Sequence, residues 1–158
     1  MPQKEKETAM LTVRDIMTDR LVALTAADTL LAARQVMDMA RIRHVPIVDG
    51  NGLFIGLVTH RDMLAATVSK LADIDDATQD EIYDGIPIGE IMRVDVKHTP
   101  PGAPLRDAAQ LLLTQKYGCL PVVDGNKLVG ILTESDFIRL SIVLMDALDN
   151  VEADPPLE

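Results

Sequence analysis

The sequence has few residues of several types, and each shortage excludes a class of structure or function. A single cysteine, Cys119, excludes a disulfide within the chain and is typical of a reducing compartment. Acidic residues outnumber basic ones by 25 to 15, and the formal net charge of −10 argues against a nucleic-acid groove because polyanions are repelled. Trp is absent and Phe and Tyr occur twice each, so aliphatic side chains and Met must build the core.

Long apolar runs are also missing. None approaches the roughly 20 residues that cross a bilayer, and the longest candidate, residues 142–145, is followed directly by Asp146. Residues 1–10 are too polar to supply the apolar centre of a signal peptide. We therefore expect a soluble, cytoplasmic protein without a membrane partner.

Signatures of catalysis and of metal binding are lacking as well. The chain has no phosphate-binding Gly-rich loop, nucleophile elbow or metal-binding triad. The three histidines, His44, His60 and His98, do not have metal-ligand spacing, and Cys119 has no second thiol to join it. We expect no metal and no enzymatic activity, and we expect Cys119 to behave as a small buried hydrophobic residue.

An internal repeat is the main feature that the sequence does have. Residues 56–62, GLVTHRD, recur as GILTESD at 130–136, with an offset of 74 residues. The Ile-Met pair at 16–17 recurs at 91–92, and PIVDG at 46–50 recurs as PVVDG, both with an offset of 75. The offset falls by one because the turn before the second GILTESD segment is one residue shorter. A register kept over this length indicates two copies of one structural unit.

Each copy has the pattern of a short turn followed by β-α-β-β-α, so the predicted class is α+β. A three-stranded sheet with helices on one face leaves its other face apolar. We therefore expect the two units to pack sheet to sheet, with pseudo-twofold clefts between them. The predicted strands lie at 21–24, 45–48, 53–58, 94–99, 120–123 and 128–132. This reading divides the chain into five segments. The two repeats are residues 12–72 and 87–149, the acidic linker between them is 73–86, and the two tails are 1–11 and 150–158.

The repeated segments resemble a cystathionine-β-synthase (CBS) domain pair, also called a Bateman module. The resemblance covers about residues 12–145, nearly the whole chain, and it occurs in both copies. It implies a regulatory module that binds adenosine-containing ligands (AMP, ADP, ATP or an S-adenosylmethionine-like molecule) in clefts between the repeats. It also implies a homodimer, and a regulated protein partner that the sequence does not name.

The two Thr-x-x-Asp tetrads are the candidate binding elements. Asp62 and Asp136 are carboxylates, which can accept hydrogen bonds from both hydroxyls of a ribose. Thr59 and Thr133 lie where a strand becomes a helix, so their hydroxyls and the free N–H groups of the helix start can meet phosphate or ribose oxygens. The alternative is helix capping, which stabilises a helix start by about 1 kcal/mol without any ligand. The occurrence of the tetrad in both copies favours the ligand.

The remaining candidates come from the resemblance and from a charge difference between the copies. The resemblance places the adenine base between apolar residues near Met17, Val22 and Pro46, and near their counterparts Met92, Val96 and Pro121. The copies also differ in charge, since the first has cationic residues that the second lacks. Residues 43–44 are Arg-His against Gly-Cys at 118–119, and residues 60–61 are His-Arg against Glu-Ser at 134–135, so the candidates here are Arg43, His44, Arg61 and Ser135. Because Arg is a planar fork of donors that suits phosphate, we hypothesise that the cleft of Asp62 takes the nucleotide. The other cleft would hold an uncharged adenosyl group or stay empty, and the alternative for Arg61 is a solvent-exposed side chain.

The last helix carries an apolar stripe at Ile138, Ile142, Met145 and Leu148. Either a partner chain or the protein's own core can cover such a stripe, and burial within the chain is the simpler expectation. The stripe also leaves a second function open, which is a structural dimerisation or protein-interaction module without a bound nucleotide.

Overall fold

The structure, a computed structural model, describes residues 10–71, 75–115 and 118–153. Most of the two predicted tails and the start of the predicted linker lie outside these residues. The helices are α1 (Val13–Ile16), α2 (Leu30–Ala40), α3 (His60–Leu71), α4 (Asp76–Asp84), α5 (Leu105–Thr114) and α6 (Glu134–Ala153), with a 3₁₀ turn at Ile88–Glu90. The strands are β1 (His44–Val48), β2 (Phe54–Thr59), β3 (Cys119–Asp124) and β4 (Lys127–Thr133).

The four strands form two antiparallel hairpins, β1 with β2 and β3 with β4, as the repeat predicts. In the first hairpin the Asp49 carboxylate closes the turn by accepting from the backbone N–H groups of Asn51 and Leu53, each at 2.9 Å. The tips of the two hairpins are joined, because the N–H of Phe54 donates to the carbonyl of Asn126 at 2.9 Å. The mixed class and the tandem repeat are confirmed.

The leading strand of each unit is much shorter than the sequence predicts. Within the described residues, the segment 21–24 contributes one parallel bridge, from Leu24 to Ile47, and the segment 94–99 contributes one from Thr99 to Val122. Pro100 follows Thr99 directly and has no N–H, so the ladder cannot continue there. Each sheet is therefore a hairpin to which the leading segment adds one bridge, rather than a full three-stranded sheet.

The short turn that opens each sequence repeat packs into the core of the other unit. Val13 of α1 is fully buried among residues of the second unit, and its N–H donates to the carbonyl of Ala103 at 3.0 Å. Ile88 is fully buried in the first core beside Leu30 and Val58. The two turns thus cross over, and the sequence repeats and the packing units are different stretches of chain.

The acidic segment between the repeats contains helix α4, where the sequence analysis predicts an acidic linker. Asp75 caps the helix by accepting from the N–H of Thr78 at 2.8 Å, and these hydrogen bonds hold the pKa of Asp75 below its usual value. Tyr83 is buried against α2, where the Arg34 guanidinium lies 5.3 Å from its ring centroid. Arg34 also forms an ion pair with Asp80. The segment therefore belongs to the first core.

The two hairpins meet through a small apolar cluster that contains Leu57, Val96 and Cys119. Cys119 is fully buried, and this burial raises the pKa of its thiol to about 12. The thiol is therefore neutral at physiological pH, and the expectation of a small buried hydrophobic residue is confirmed.

The apolar stripe on α6 is exposed, so the expectation that the chain buries it is wrong. Ile138, Met145 and Leu148 are 61%, 60% and 65% exposed, and Ile142 is 53% exposed. The helix extends past the fold that it starts from, which leaves the stripe with no covering element among the described residues. In the described part of the chain, no helix has both the length and the apolar character to cross a membrane.

Candidate functional site

The Thr59–Asp62 tetrad lies at the junction of β2 and α3 and forms a reciprocal cap. The N–H of Asp62 donates to the Thr59 hydroxyl at 3.0 Å, and the N–H of Thr59 donates to the Asp62 carboxylate at 3.3 Å. This is the arrangement of a capping box, so the capping role of the tetrad is real. It uses one oxygen of the carboxylate and leaves the other directed to other partners.

The second partner of Asp62 is Arg93, which comes from the turn that crosses over from the other repeat. Its Nε lies 3.1 Å and 2.9 Å from the two carboxylate oxygens, and its Nη2 lies 2.7 Å from Oδ1. Burial of Asp62 alone would favour the neutral acid, but hydrogen bonds from Arg93 and Thr59 and the Arg93 charge outweigh it and lower the pKa of this carboxyl. Asp62 is thus an anion at neutral pH.

Asp136 is the equivalent carboxylate at the junction of β4 and α6, and it is only 5% exposed. Its Oδ2 accepts from the N–H of Thr133 at 2.8 Å, which repeats the cap of the first tetrad. Its Oδ1 accepts from the Thr18 hydroxyl at 3.0 Å and from Arg139 Nη1 at 3.2 Å. Both carboxylates therefore have donors from their own tetrad and from the crossing turn.

The crossing turns are held against the tetrads by paired backbone hydrogen bonds. Thr18 and Ile131 exchange two bonds of 2.9 Å, and Arg93 and Leu57 exchange bonds of 2.8 Å and 2.9 Å. These contacts place residue 18 beside Asp136 and residue 93 beside the carboxylate of the first tetrad. The pseudo-twofold relation of the repeats is thus preserved at the site.

The glycine that opens each repeated heptapeptide leaves room for the crossing turn. A Cβ on Gly56 would lie 2.8 Å from Met92 Sδ and 2.9 Å from the carbonyl oxygen of Arg93. A Cβ on Gly130 would lie 2.7 Å from Met17 Sδ. Any side chain at either position would push the turn away, which explains why both copies have glycine there.

A small cavity adjoins Asp136. Its volume is about 210 Å³, and it is lined by Ile16, Asp136, Arg139, Leu140 and Val143. Pockets for ligands of nucleotide size are larger, about 300 Å³ or more. A nucleoside can therefore enter this cleft only if the side chains that line it move.

The apolar residues expected around a base lie in different environments. Met17 lies against Gly130 of the second unit, and Met92 lies against Gly56 of the first unit, so each Met packs on the strand that leads into the tetrad of the other repeat. Pro46, Val96 and Pro121 are buried, with Val96 inside the cluster between the sheets, while Val22 is 37% exposed. The structure thus separates Met17 from the Val22 and Pro46 with which the sequence groups it.

Of the polar residues that the sequence predicts at the binding site, three have exposed side chains and His44 lies at the boundary between the two units. Arg43, Arg61 and Ser135 are exposed. His44 is half-buried and lies across from the second unit, because a Cβ on Gly118 would be 3.7 Å from its Nε2 and 3.3 Å from a carboxylate oxygen of Glu134. In the structure Arg93, rather than Arg61, supplies the cation at Asp62.

Three contact residues are absent from the sequence-based set, namely Thr18, Arg93 and Arg139. The register of the repeat contains the signal for two of them, since residues 18 and 93 follow the repeated Ile-Met pair at the same offset. What the register does not reveal is that the turns cross over. Among the described residues, no group of three or more His, Cys, Asp or Glu side chains could hold a metal ion.

The sequence of the chain matches a known protein family in both repeats. The family described as "CBS domain" matches residues 13–69 and 88–142. The CBS domain-containing protein YhcV of Bacillus subtilis is 28% identical over 80% of this chain and 83% of its own. The uncharacterized protein MJ1225 of Methanocaldococcus jannaschii is 30% identical over 81% of this chain, which spans only 42% of that protein.

Solved structures show the same fold. AcuB of Vibrio cholerae superposes with a TM-score of 0.77 and 38% identity, over 89% of this chain and 98% of that one. CBSX2 of Arabidopsis thaliana in complex with AMP gives a TM-score of 0.70 and 30% identity, over 85% and 98%. The CBS domain pair of MJ0100 in complex with 5′-methylthioadenosine and S-adenosyl-L-methionine gives 0.68 and 25%, over 83% and 95%.

Proposed function

The chain belongs to the CBS-domain family, with two copies of the domain, and on this basis we propose that it is a regulatory module that binds adenosine-containing ligands between its repeats. The observation that carries the proposal is the pair of equivalent carboxylates, Asp62 and Asp136, each at a strand-to-helix junction and each facing a turn of the other repeat. Support also comes from two structural relatives, one bound to AMP and one bound to S-adenosylmethionine and methylthioadenosine.

The chemistry of the proposed site follows from the donors that the carboxylates already accept. A ribose offers two adjacent hydroxyl donors, which match the two oxygens of a carboxylate. The ribose would take the place of Arg93 at Asp62, or of Thr18 at Asp136, while the tetrad N–H groups stay in place. Ionised Asp62 is suited to this exchange because a charged acceptor forms stronger hydrogen bonds than a neutral one.

The adenine base would lie against the apolar side of each cleft. We propose that Met17 and Pro121 serve the cleft of Asp136, and that Met92 and Pro46 serve the cleft of Asp62, because the crossing turns bring each Met against the strand that leads into the tetrad of the other repeat. Val22 and Val96 remain candidates beside them. A phosphate would meet the helix start after Thr59 or Thr133, with Arg61, Arg43, His44 and Ser135 as neighbouring donors.

The proposed role is regulatory and cytoplasmic rather than enzymatic. A ligand changes the conformation of a protein only if it binds two states with different affinity. Entry into these clefts meets that condition, because it requires the contacts of Asp62 or Asp136 with the crossing turns to break. The crossing turns connect the two units, so the exchange would alter how the units pack and what a partner protein encounters.

We propose further that two copies of the chain associate through α6. The exposed apolar residues of the stripe recur at spacings of three and four, so they lie along one side of the helix, at Ile138, Ile142, Met145 and Leu148. Exposed apolar area of this kind is uncommon on a monomer and typical of an interface. The same stripe favours a second candidate function, a dimerisation or protein-interaction module that binds no nucleotide.

Titration distinguishes the two functions. We expect AMP, ATP or S-adenosylmethionine to raise the melting temperature of the wild type and to give a measurable heat of binding. Asp62→Ala and Asp136→Ala should each lower the affinity of one cleft by about 100-fold, since two charge-assisted hydrogen bonds to the ribose are lost. Asp38→Ala, which removes an exposed carboxylate from α2, is the matched control and should bind as the wild type does.

Each result of these titrations supports one of the two functions and contradicts the other, or tests the assignment of the carboxylates. Equal affinity in the wild type and both cleft variants would contradict the assignment of the carboxylates. If none of the three ligands raises the melting temperature of the wild type, the module without a nucleotide is the better description. Release of a chemically altered ligand during the titration would contradict the non-enzymatic role.

A further inference from the structure

Arg93 is the side chain by which the two clefts differ most. Residues 18 and 93 occupy equivalent places in the repeat, and each exchanges two backbone hydrogen bonds with the β-strand that precedes the facing tetrad. At one place a Thr hydroxyl reaches Asp136, with one hydrogen bond of 3.0 Å. At the other a guanidinium spans both oxygens of Asp62.

The contacts of Arg93 and those of a ribose diol at Asp62 exclude each other. Nε and Nη2 together hold Oδ1 and Oδ2 at 2.7 to 3.1 Å, so both acceptor oxygens face the guanidinium. The Arg93 side chain is 48% exposed, whereas that of Asp62 is 12% exposed, so the guanidinium has solvent beside it into which it can turn away from the carboxylate. Its backbone stays anchored to Leu57, so only the side chain has to move.

We infer that the Arg93 side chain occupies the ribose position at Asp62 and makes this cleft selective for phosphorylated adenosine ligands. We call this role of Arg93 the latch. This inference rests on the proposed function and specifies the ligand class of one cleft. A nucleoside without phosphate breaks the ion pair with Asp62 and supplies no anion of its own in exchange. A nucleotide breaks the same pair but brings phosphate oxygens, which a planar guanidinium binds in a bidentate manner.

The Asp136 cleft lacks this selectivity. A ligand there displaces one hydroxyl, which water can satisfy, and Arg139 can keep its contact because it lies on the same helix three residues away. An uncharged adenosyl group can therefore bind there without breaking an ion pair between Asp136 and the crossing turn. The inequality of the clefts then comes from position 93 and its counterpart 18, not from position 61.

The test is a pair of isothermal titrations, with adenosine and with AMP, into the full chain and its variants. In Arg93→Met we expect adenosine to bind about tenfold more tightly than in the wild type, because no ion pair has to break. AMP should bind no more tightly than in the wild type, because the loss of its phosphate contact offsets the same gain. Arg93→Lys should also bind adenosine more tightly, because an ammonium cannot span both oxygens, yet it should keep its affinity for AMP. The control Arg106→Met removes an exposed Arg on α5 and should shift neither affinity by more than about twofold.

Since the Asp136 cleft is the same in all four proteins, differences between them report on the Asp62 cleft. If Arg93→Met shifts the affinities for both ligands in the same direction, or shifts neither, the latch is refuted, while binding to the wild type still supports the proposed function. If neither ligand binds the wild type or any variant, both the latch and the proposed function are refuted. Tighter binding of adenosine without tighter binding of AMP supports the latch, because a merely structural role would weaken both.

Discussion

Replacing Gly56 or Gly130 with Ala should destabilise the protein by about 3 kcal/mol, as overpacking at an unyielding site does. At Gly56 the new methyl group would lie 2.9 Å from the carbonyl oxygen of Arg93, which is backbone and cannot rotate away. That residue is tied to Leu57 by two hydrogen bonds, so relief of the clash requires that they lengthen or break. Such a loss is a large share of the 5 to 15 kcal/mol that is typical of a domain.

The effect is measured by urea unfolding followed by circular dichroism. Gly50→Ala is the matched control, because it is the same exchange in the same repeat at a site with no atom within 4 Å of the new Cβ. It should change the free energy of unfolding by less than about 1 kcal/mol. If Gly56→Ala and Gly50→Ala unfold at the same urea concentration, the crossing turn is not held as closely as the structure shows.

Replacing Leu148 with Glu should convert a dimer into a monomer. The side chain is 65% exposed and lies on the stripe that we propose as the contact between two copies. In a twofold interface each substitution acts twice, and a carboxylate buried against apolar side chains costs several kcal/mol unless it is paired. We expect the dissociation constant of the dimer to rise at least about 100-fold, which is readily seen by sedimentation equilibrium.

The control is Asn150→Glu, which adds the same charge to an exposed position on another side of α6. It should leave the association unchanged and so exclude a general effect of charge on this acidic chain. A wild type that sediments as a monomer across the accessible concentrations would contradict the dimer. The stripe would then be a surface for a different protein.

The repeated segments predicted the parts of the fold that depend on local pattern. Hairpin turns are short-range features, so the two hairpins appear where the sequence places their strands. The segment 21–24 has a strand pattern too, but only one bridge forms, because a turn closed by the Asp28 carboxylate follows it at once.

The parts that the sequence did not predict depend on contacts between distant residues. Nothing local to Val13 or Ile88 shows that each will be buried in the other unit, because that choice depends on which core has room for it. The acidic composition of the segment before Ile88 hides one buried residue, Tyr83, which holds α4 on the first core. Arg93 was missed for the same reason, since its partner Asp62 is 31 residues away.

A crystal structure of the protein with AMP tests the central claim most directly. We expect both ribose hydroxyls to lie within hydrogen-bond distance of the Asp62 carboxylate, and the Arg93 guanidinium to have turned from that carboxylate to the phosphate. AMP bound away from both tetrads, with Arg93 still on Asp62 and Thr18 still on Asp136, would contradict the account.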